Sequence, residues 1–322
     1  MQFGNSVYAA SGLSNLLQKY TLGSSSTFAD VSGSPKAKFL AVIRDFVVTA
    51  HNNTSSTNNP FRVQWSQIND ADTWTVGSNQ ADFQDIPDAG NITGLVGGDF
   101  GVVLLERGIA RMQYVGSPLI FTFDMVETGH GCDIPNSISA LAPTQVFYLA
   151  SDGFFMFNGE RSIPIGAEKV DEFFLNDASP HQLERLSCSI DPENQVVAWS
   201  YVSNESRTNA PDKIIMYNYA VGRWSLAELD HEFIGTIISP SFTLEALATI
   251  SSSLDALGTS LDSRFFRGGQ SAFAASSNSK IASFTGDALA ATLETAEFEP
   301  AKLRKSLVKS VTPYVTSKDV AP

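Results

Sequence analysis

One short unit recurs along this chain: an apolar strand, a polar turn and a second apolar strand, often followed by Trp or Gly. Its residues alternate with a period of 2, which is typical of antiparallel β-structure. The apolar runs begin near Val7, Val47, Val102, Val146, Val196 and Phe273, so successive steps are 40, 55, 44, 50 and 77 residues. Repeats of roughly 40 to 50 residues, each a small antiparallel sheet, are typical of propeller blades.

This repeat predicts an all-β fold, a β-propeller with five to seven four-stranded blades, of which six is the favoured number. A single blade cannot cover both of its faces, whereas blades stacked around an axis cover one another and leave only short edges exposed. A β-sandwich or two small barrels remain the alternative. We expect the propeller to occupy residues 1–300, and residues 301–322 to form a C-terminal basic strand that closes a blade or docks on a neighbour.

Two segments interrupt the strand pattern. Residues 167–187 contain an apolar stripe of Val170, Phe173 and Phe174, followed by Pro180, which suits a first helical turn. Residues 239–269 form the longest interval between strands, and leucines there fall at helical spacings of three and four. We therefore predict small helical insertions near 167–187 and 241–262.

Composition restricts the partners of this chain. Its 322 residues include 34 acidic and 21 Lys or Arg side chains, giving a net charge of −13. Affinity for phosphate comes from clustered Lys and Arg, so tight binding of free nucleic acid is not expected. No apolar run of eighteen residues occurs, so we expect no membrane partner. Two cysteines, Cys132 and Cys188, favour free thiols over a disulfide framework.

The sequence contains little that indicates chemistry. The four histidines share no metal-ligand spacing, and His130 and Cys132 lack an orienting third group for a nucleophile pair. The glycine-rich run Gly94 to Gly101 has no Lys-Ser/Thr partner and reads as a turn between strands. We therefore expect no catalytic, cofactor-binding or metal-binding residues and no enzymatic activity. With so many acidic residues, however, a pair of carboxylates suited to glycoside hydrolysis remains an alternative.

Six residues are the candidates for contacts. Within the turn "LASDGFF", Ser151 and Asp152 sit between two apolar runs, and we expect Asp152-Gly153 to be a two-residue hairpin turn that places Asp152 at a propeller rim. Five of the 21 basic residues follow Pro300, where ordinary solvated lysines and a cationic strand that docks on an acidic neighbour are both open. The candidate subunit contacts are Leu244, Leu247, Lys302, Arg304 and Lys305.

Several segments resemble stretches of phage virion proteins. They are "FADVSGSPKAKFLAVIRDFVV" (Phe28 to Val48), "RVQWSQINDADTW" (Arg62 to Trp74), "VFYLASDGFFMFNG" (Val146 to Gly159) and "SLDSRFFRGG" (Ser260 to Gly269). The family they resemble is the tail-nozzle or tail-hub β-propeller proteins of short-tailed phages, the packaged-DNA-stabilising proteins. The likeness runs from about Tyr20 to about Thr312. The chain begins and ends in strand-like segments, from which we expect a longer native polypeptide.

The resemblance implies a structural virion protein of a phage tail. In that role the chain would form a homo-hexameric ring below the portal and its adaptor protein, line the DNA exit channel, and help to retain and then pass the genome without sequence-specific binding. An acidic wall would let the duplex slide, because like charges repel. The alternative function is a glycan-binding or glycan-hydrolysing β-propeller.

Overall fold

The apolar runs of the repeated unit form the second strand of each of six antiparallel sheets in the computed structural model. The structure describes residues 1–54, 57–238, 271–277 and 279–284, and the single positions 247, 251 and 253. Two compact units divide the chain, Met1–Thr285 and Gly286–Pro322, and the second lies outside the described residues. The first unit is an all-β propeller, which confirms the predicted fold class.

The first three sheets each contain four strands in sequential order. Sheet 1 comprises β1 (Gln2–Phe3), β2 (Ser6–Ala9), β3 (Gln18–Thr21) and β4 (Ala29–Asp30). Sheet 2 comprises β5 (Lys36–Ile43), β6 (Phe46–Thr54), β7 (Thr57–Trp65) and β8 (Asp82–Asp85). Sheet 3 comprises β9 (Ile92–Val96), β10 (Gly101–Leu105), β11 (Gly108–Gly116) and β12 (Ile120–Thr128).

The last three sheets follow the same sequential order. Sheet 4 comprises β13 (Ser139–Ala142), β14 (Gln145–Ala150), β15 (Gly153–Phe157) and β16 (Ser162–Pro164). Sheet 5 comprises β17 (Ser187–Asp191), β18 (Val196–Tyr201), β19 (Lys213–Asn218) and β20 (Arg223–Glu228). Sheet 6 comprises β21 (Phe233–Ile238), β22 (Ser271–Ser277) and β23 (Lys280–Ser283). Six sheets match the favoured blade count, but sheet 6 has three strands within the described residues instead of the expected four.

The repeat located the sheets correctly. The apolar runs that begin near Val7, Val47, Val102, Val146, Val196 and Phe273 all lie in second strands, so each repeated unit corresponds to the second and third strands of a sheet. The reason is burial: a second strand packs on a neighbouring sheet with each of its two faces, so most of its residues are apolar. On β14, for example, Tyr148 packs toward sheet 3 and Phe147 toward sheet 5, and both are fully buried.

Several first strands converge on one another. β5 lies beside β9, β13 beside β17, and β17 beside β21. This convergence places the first strand of each of these sheets nearest the propeller axis. Hydrophobic clusters fill the spaces between successive sheets, from sheets 1 and 2 through to sheets 5 and 6.

Helical structure falls where the first insertion was predicted. Helix α1 (Asp171–Asp177) and a 3₁₀ turn at Leu183–Arg185 lie in the connector between sheets 4 and 5, and a further 3₁₀ turn covers Pro135–Ser137. The insertion predicted at 241–262 lies outside the described residues, except for Leu247, which is helical, and two serine positions. No helix among the described residues is long and apolar enough to cross a membrane.

Candidate functional site

Four carboxylates gather at the end of sheets 3 and 4 where second strands turn into third strands. Glu106 lies in the β10–β11 turn, Asp152 in the β14–β15 turn, Asp133 in the connector before β13, and Asp171 at the start of α1. Electrostatic repulsion links Asp133 to both Glu106 and Asp152, and Asp171 to Asp152. We call these four residues the acidic turn cluster. Because a propeller alternates its loops between two faces, the second-to-third turns and the connectors between sheets share one face, here called the connector face.

The Asp152 turn lies one position earlier than the sequence indicated. Ala150 pairs with Gly153, so the two turn residues are Ser151 and Asp152 rather than Asp152 and Gly153. Gly153 begins β15 at a φ of +142°, and a Cβ there would lie 2.3 Å from the Asp171 carboxylate. Glycine is therefore required both by the backbone angle and by the approach of the helix.

Two members of the cluster, Asp171 and Asp133, have a raised pKa. Burial raises the pKa of Asp171, and the nearby Asp152 charge raises it further, although the backbone N–H of Phe154 donates to Asp171 Oδ1 over 3.0 Å. Burial likewise raises the pKa of Asp133, with repulsion from Glu106 adding to the effect. For Asp171 the loss of water and the nearby like charge outweigh the hydrogen bond, and for Asp133 they outweigh the attraction of the Arg107 cation.

Asp152 lies beside one histidine. Its Oδ2 lies 3.4 Å from Nδ1 of His130, and both side chains are about half exposed, at 52% and 46%. The His130 ring also packs on Phe155, with centroids 5.1 Å apart. A polar contact this exposed contributes little stability.

The nearby thiol is not available as a nucleophile. Cys132 is fully buried, its Sγ donates to the carbonyl oxygen of Ile134, and burial raises its pKa to about 11. Neither cysteine forms a disulfide, as expected from the sequence. No group of three His, Cys, Asp or Glu side chains within the described part of the chain could hold a metal ion. The carboxylates of the cluster give this face an acidic character.

A groove of about 530 Å³ opens on the same face beside the starts of β17 and β21. Its polar lining includes Asn136, Glu184, Arg185 and Glu232, and its floor includes Cys188. Sequence reasoning missed this groove, because its two carboxylates lie 48 positions apart and neither belongs to a motif. The Arg185 guanidinium donates to the carbonyl oxygen of Asn209 over 2.7 Å, so this cation in the groove lining already has a hydrogen-bond acceptor.

The remaining sequence-predicted contacts stay predictions. Leu247 is 6% exposed in the single chain. Leu244, Lys302, Arg304 and Lys305 lie outside the described residues.

No family model matches the chain, and no curated protein matches it. Three solved structures are similar over part of their length. A dihydro-heme d1 dehydrogenase, NirN, in complex with DHE is 12% identical with a TM-score of 0.43, over 72% of this chain and 46% of that chain. Apo AztD from Citrobacter koseri is 11% identical with a TM-score of 0.36, over 71% of this chain and 58% of that chain. A candidate 6-phosphogluconolactonase from Bacteroides uniformis is 10% identical with a TM-score of 0.43, over 71% of this chain and 70% of that chain. Similarity at these levels carries no information on function.

Proposed function

We propose that this protein is a structural, non-enzymatic subunit of a phage tail that assembles into a ring, with six copies as the expected number, around the path of the genome. The observation that carries the proposal is the acidic turn cluster on the connector face. There, burial and mutual repulsion raise the pKa of Asp133 and Asp171. A surface with this potential repels a polyphosphate, which suits a wall along which DNA moves without being gripped.

Two further observations support the proposal. The net charge is −13, so a ring of such chains would be strongly acidic as a whole. In addition, the resemblance of four segments to tail-nozzle proteins extends over strands, turns and a connector rather than over one motif. In this role the portal-adaptor protein and other tail proteins are the neighbours, and the virion tail is the location.

The assembly is tested by determining the mass of the purified full chain in solution and imaging it by electron microscopy. We expect closed rings with a sixfold axis, and no retention of a DNA duplex by the chain at physiological salt. Replacing Asp152 and Glu106 by Asn and Gln should leave the ring intact and increase DNA retention. A monomer under all conditions, or rings in which these carboxylates face away from the central hole, would contradict the proposal.

The 530 Å³ groove is the observation that favours the alternative, a glycan-binding or glycan-hydrolysing propeller. Pockets of this size with a few polar groups are the usual form of small-molecule sites. The test is binding and hydrolysis of a panel of oligosaccharides, with Glu184→Gln and Glu232→Gln as variants. Saturable binding that both variants abolish would support the alternative.

A further inference from the structure

The interface between sheets 5 and 6 differs in chemistry from the one between sheets 4 and 5. The latter contains large aromatic side chains, including Phe154, Trp199 and Tyr201, all fully buried. Among the described residues, the buried members of the core between sheets 5 and 6 are the smaller side chains Ala198, Ile214, Ile234 and Ala275. Because small side chains bury little apolar area, polar contacts contribute to the attachment of β21 and β22.

Several hydrogen bonds cross this interface. The Thr236 hydroxyl donates to the carbonyl oxygen of Ile190 over 2.9 Å and lies 2.9 Å from Ser189 Oγ. The backbone N–H of Ile234 donates to Ser187 Oγ over 3.3 Å. The most buried contact joins Ser200 to His231, whose side chain is in the connector that leads into β21.

The surroundings of His231 define its tautomer. Nδ1 lies 2.6 Å from the carbonyl oxygen of Leu229, and a carbonyl can only accept, so Nδ1 carries the proton. Nε2 then has a lone pair and accepts from the hydroxyl of Ser200. His231 is 2% exposed and Ser200 is 0% exposed, so water does not reach either group. The neutral ring satisfies every polar atom at this point.

We propose that His231 is a proton-sensitive latch: the neutral ring holds sheet 6 on sheet 5, and protonation of Nε2 releases sheet 6. A proton on Nε2 turns the ring into a donor at both nitrogens, so Ser200 must accept and its own hydroxyl hydrogen loses its partner. A buried cation and an orphaned hydroxyl are both costly, and opening the interface to water removes both costs.

Two carboxylates interact electrostatically with the ring: Asp230 on its own connector and Asp212 immediately before β19. The elements beside the ring also carry Glu232 on the connector, Lys213 at the start of β19 and Glu228 at the end of β20. Asp212 and Asp230 favour the protonated ring, but burial outweighs them and lowers the pKa of His231. The backbone N–H and the hydroxyl of Ser203 donate hydrogen bonds to the Asp212 carboxylate over 2.8 and 2.6 Å. These bonds reduce the electrostatic attraction between Asp212 and the imidazole. β21 and β22 carry no charged side chain.

The pH dependence follows from the direction of this shift. Because the pKa of His231 is lower in the folded chain than the ordinary 6.5, the unfolded or opened form binds the proton more tightly. The stabilisation that the neutral His231 ring gives to the closed interface is complete above pH 6.5. It is lost as the pH falls below that value toward the lower pKa of the folded state. Over that window the population of the opened form should rise by up to about tenfold per pH unit.

Amide hydrogen exchange of the full chain tests the latch, read by mass spectrometry between pH 7.5 and pH 5.5 and corrected for intrinsic exchange. We expect β21, β22 and β23 to lose protection as the pH falls, by up to about tenfold per unit, while β10 and β14 stay protected. His51 is also buried with a lowered pKa, so opening that starts at β6 and β9 instead would overturn the proposal.

Two variants make the test specific. His231→Gln removes the titrating group and should abolish the pH dependence of sheet 6, whereas His181→Gln, at an exposed position, should retain it. An unchanged pH dependence in His231→Gln overturns the latch. If that variant does not fold, exchange of the imidazole C2 hydrogen in the unmodified chain gives the pKa of His231 directly. A pKa of 6.5 or higher would also overturn the latch.

Discussion

Two neighbouring phenylalanines on α1 provide a stringent test of the packing. Phe174 is 1% exposed, and its ring lies 4.8 Å from that of Phe154 and 5.0 Å from that of Tyr201. Phe173 is 45% exposed. Both substitutions to Ala make the same chemical change on the same helix, so they differ only in what surrounds the ring.

The expected cost differs severalfold. Removing a fully buried Phe destabilises by about 3–5 kcal/mol, because the transfer free energy of the ring and the cavity left behind add together. Phe173 has roughly half its surface buried and leaves no closed cavity, so its removal should cost about 1 kcal/mol. The difference between the two variants should then be about 2–4 kcal/mol.

The assay is urea unfolding followed by tryptophan fluorescence at pH 7.5. Trp199 lies 4.7 Å from Phe154, and Trp224 lies 5.1 Å from it, so both report on this part of the propeller. We expect Phe174→Ala to lower the urea midpoint by about 1 M or more, and Phe173→Ala by a few tenths. Circular dichroism should give the same midpoints, since coincident transitions indicate two-state unfolding, in which the free energies of the two variants can be compared. Equal shifts for the two variants would refute the packing described for α1.

Three other perturbations give distinct outcomes. Lys213→Met leaves the largely buried carboxylate of Asp177 without the cation that lies 2.9 Å away in the native chain. The free energy of unfolding in urea titrations should fall by about 3 kcal/mol. A decrease of less than about 0.5 kcal/mol would mean that the ion pair is solvated. Gly153→Ala should destabilise more than Gly129→Ala in thermal unfolding, since both positions have positive φ but only the first Cβ meets another side chain. Cys132, with its pKa raised to about 11, should resist thiol reagents at pH 8 until the chain is unfolded, so prompt labelling of the native protein would contradict its burial.

The strand pattern was the most predictable part of this protein. The six apolar runs each lie in a different sheet, and the glycine-rich stretch before β10 is the predicted turn between β9 and β10. Second strands are detectable because both faces are buried, so a nearly continuous run of apolar residues leaves a strong signal. β13 has no buried residue and β17 alternates buried and partly exposed ones, and the sequence did not distinguish such first strands from connectors.

The α1 segment shows where pattern reasoning stops. Val170, Phe173 and Phe174 were predicted to form one apolar stripe, yet Val170 and Phe174 are buried while Phe173 faces solvent. Helical spacing places 170 and 174 on one face, and 173 lies beside them. Which of the two adjacent phenylalanines is buried depends on where sheet 5 lies, and no local pattern contains that information.

The amino-acid sequence by itself determined that the chain forms antiparallel sheets and where each is centred, because these properties follow from local alternation and from the burial of second strands. It favoured six sheets within a range of five to seven, and the structure supplies the count. Only the tertiary structure decided which distant side chains meet: Asp171 with Gly153, Ser200 with His231, and Glu184 with Glu232 in one groove. These juxtapositions depend on how neighbouring sheets are stacked and on how the connectors cross the connector face. They involve residues 18 to 48 positions apart, a separation at which single-sequence periodicity carries no signal.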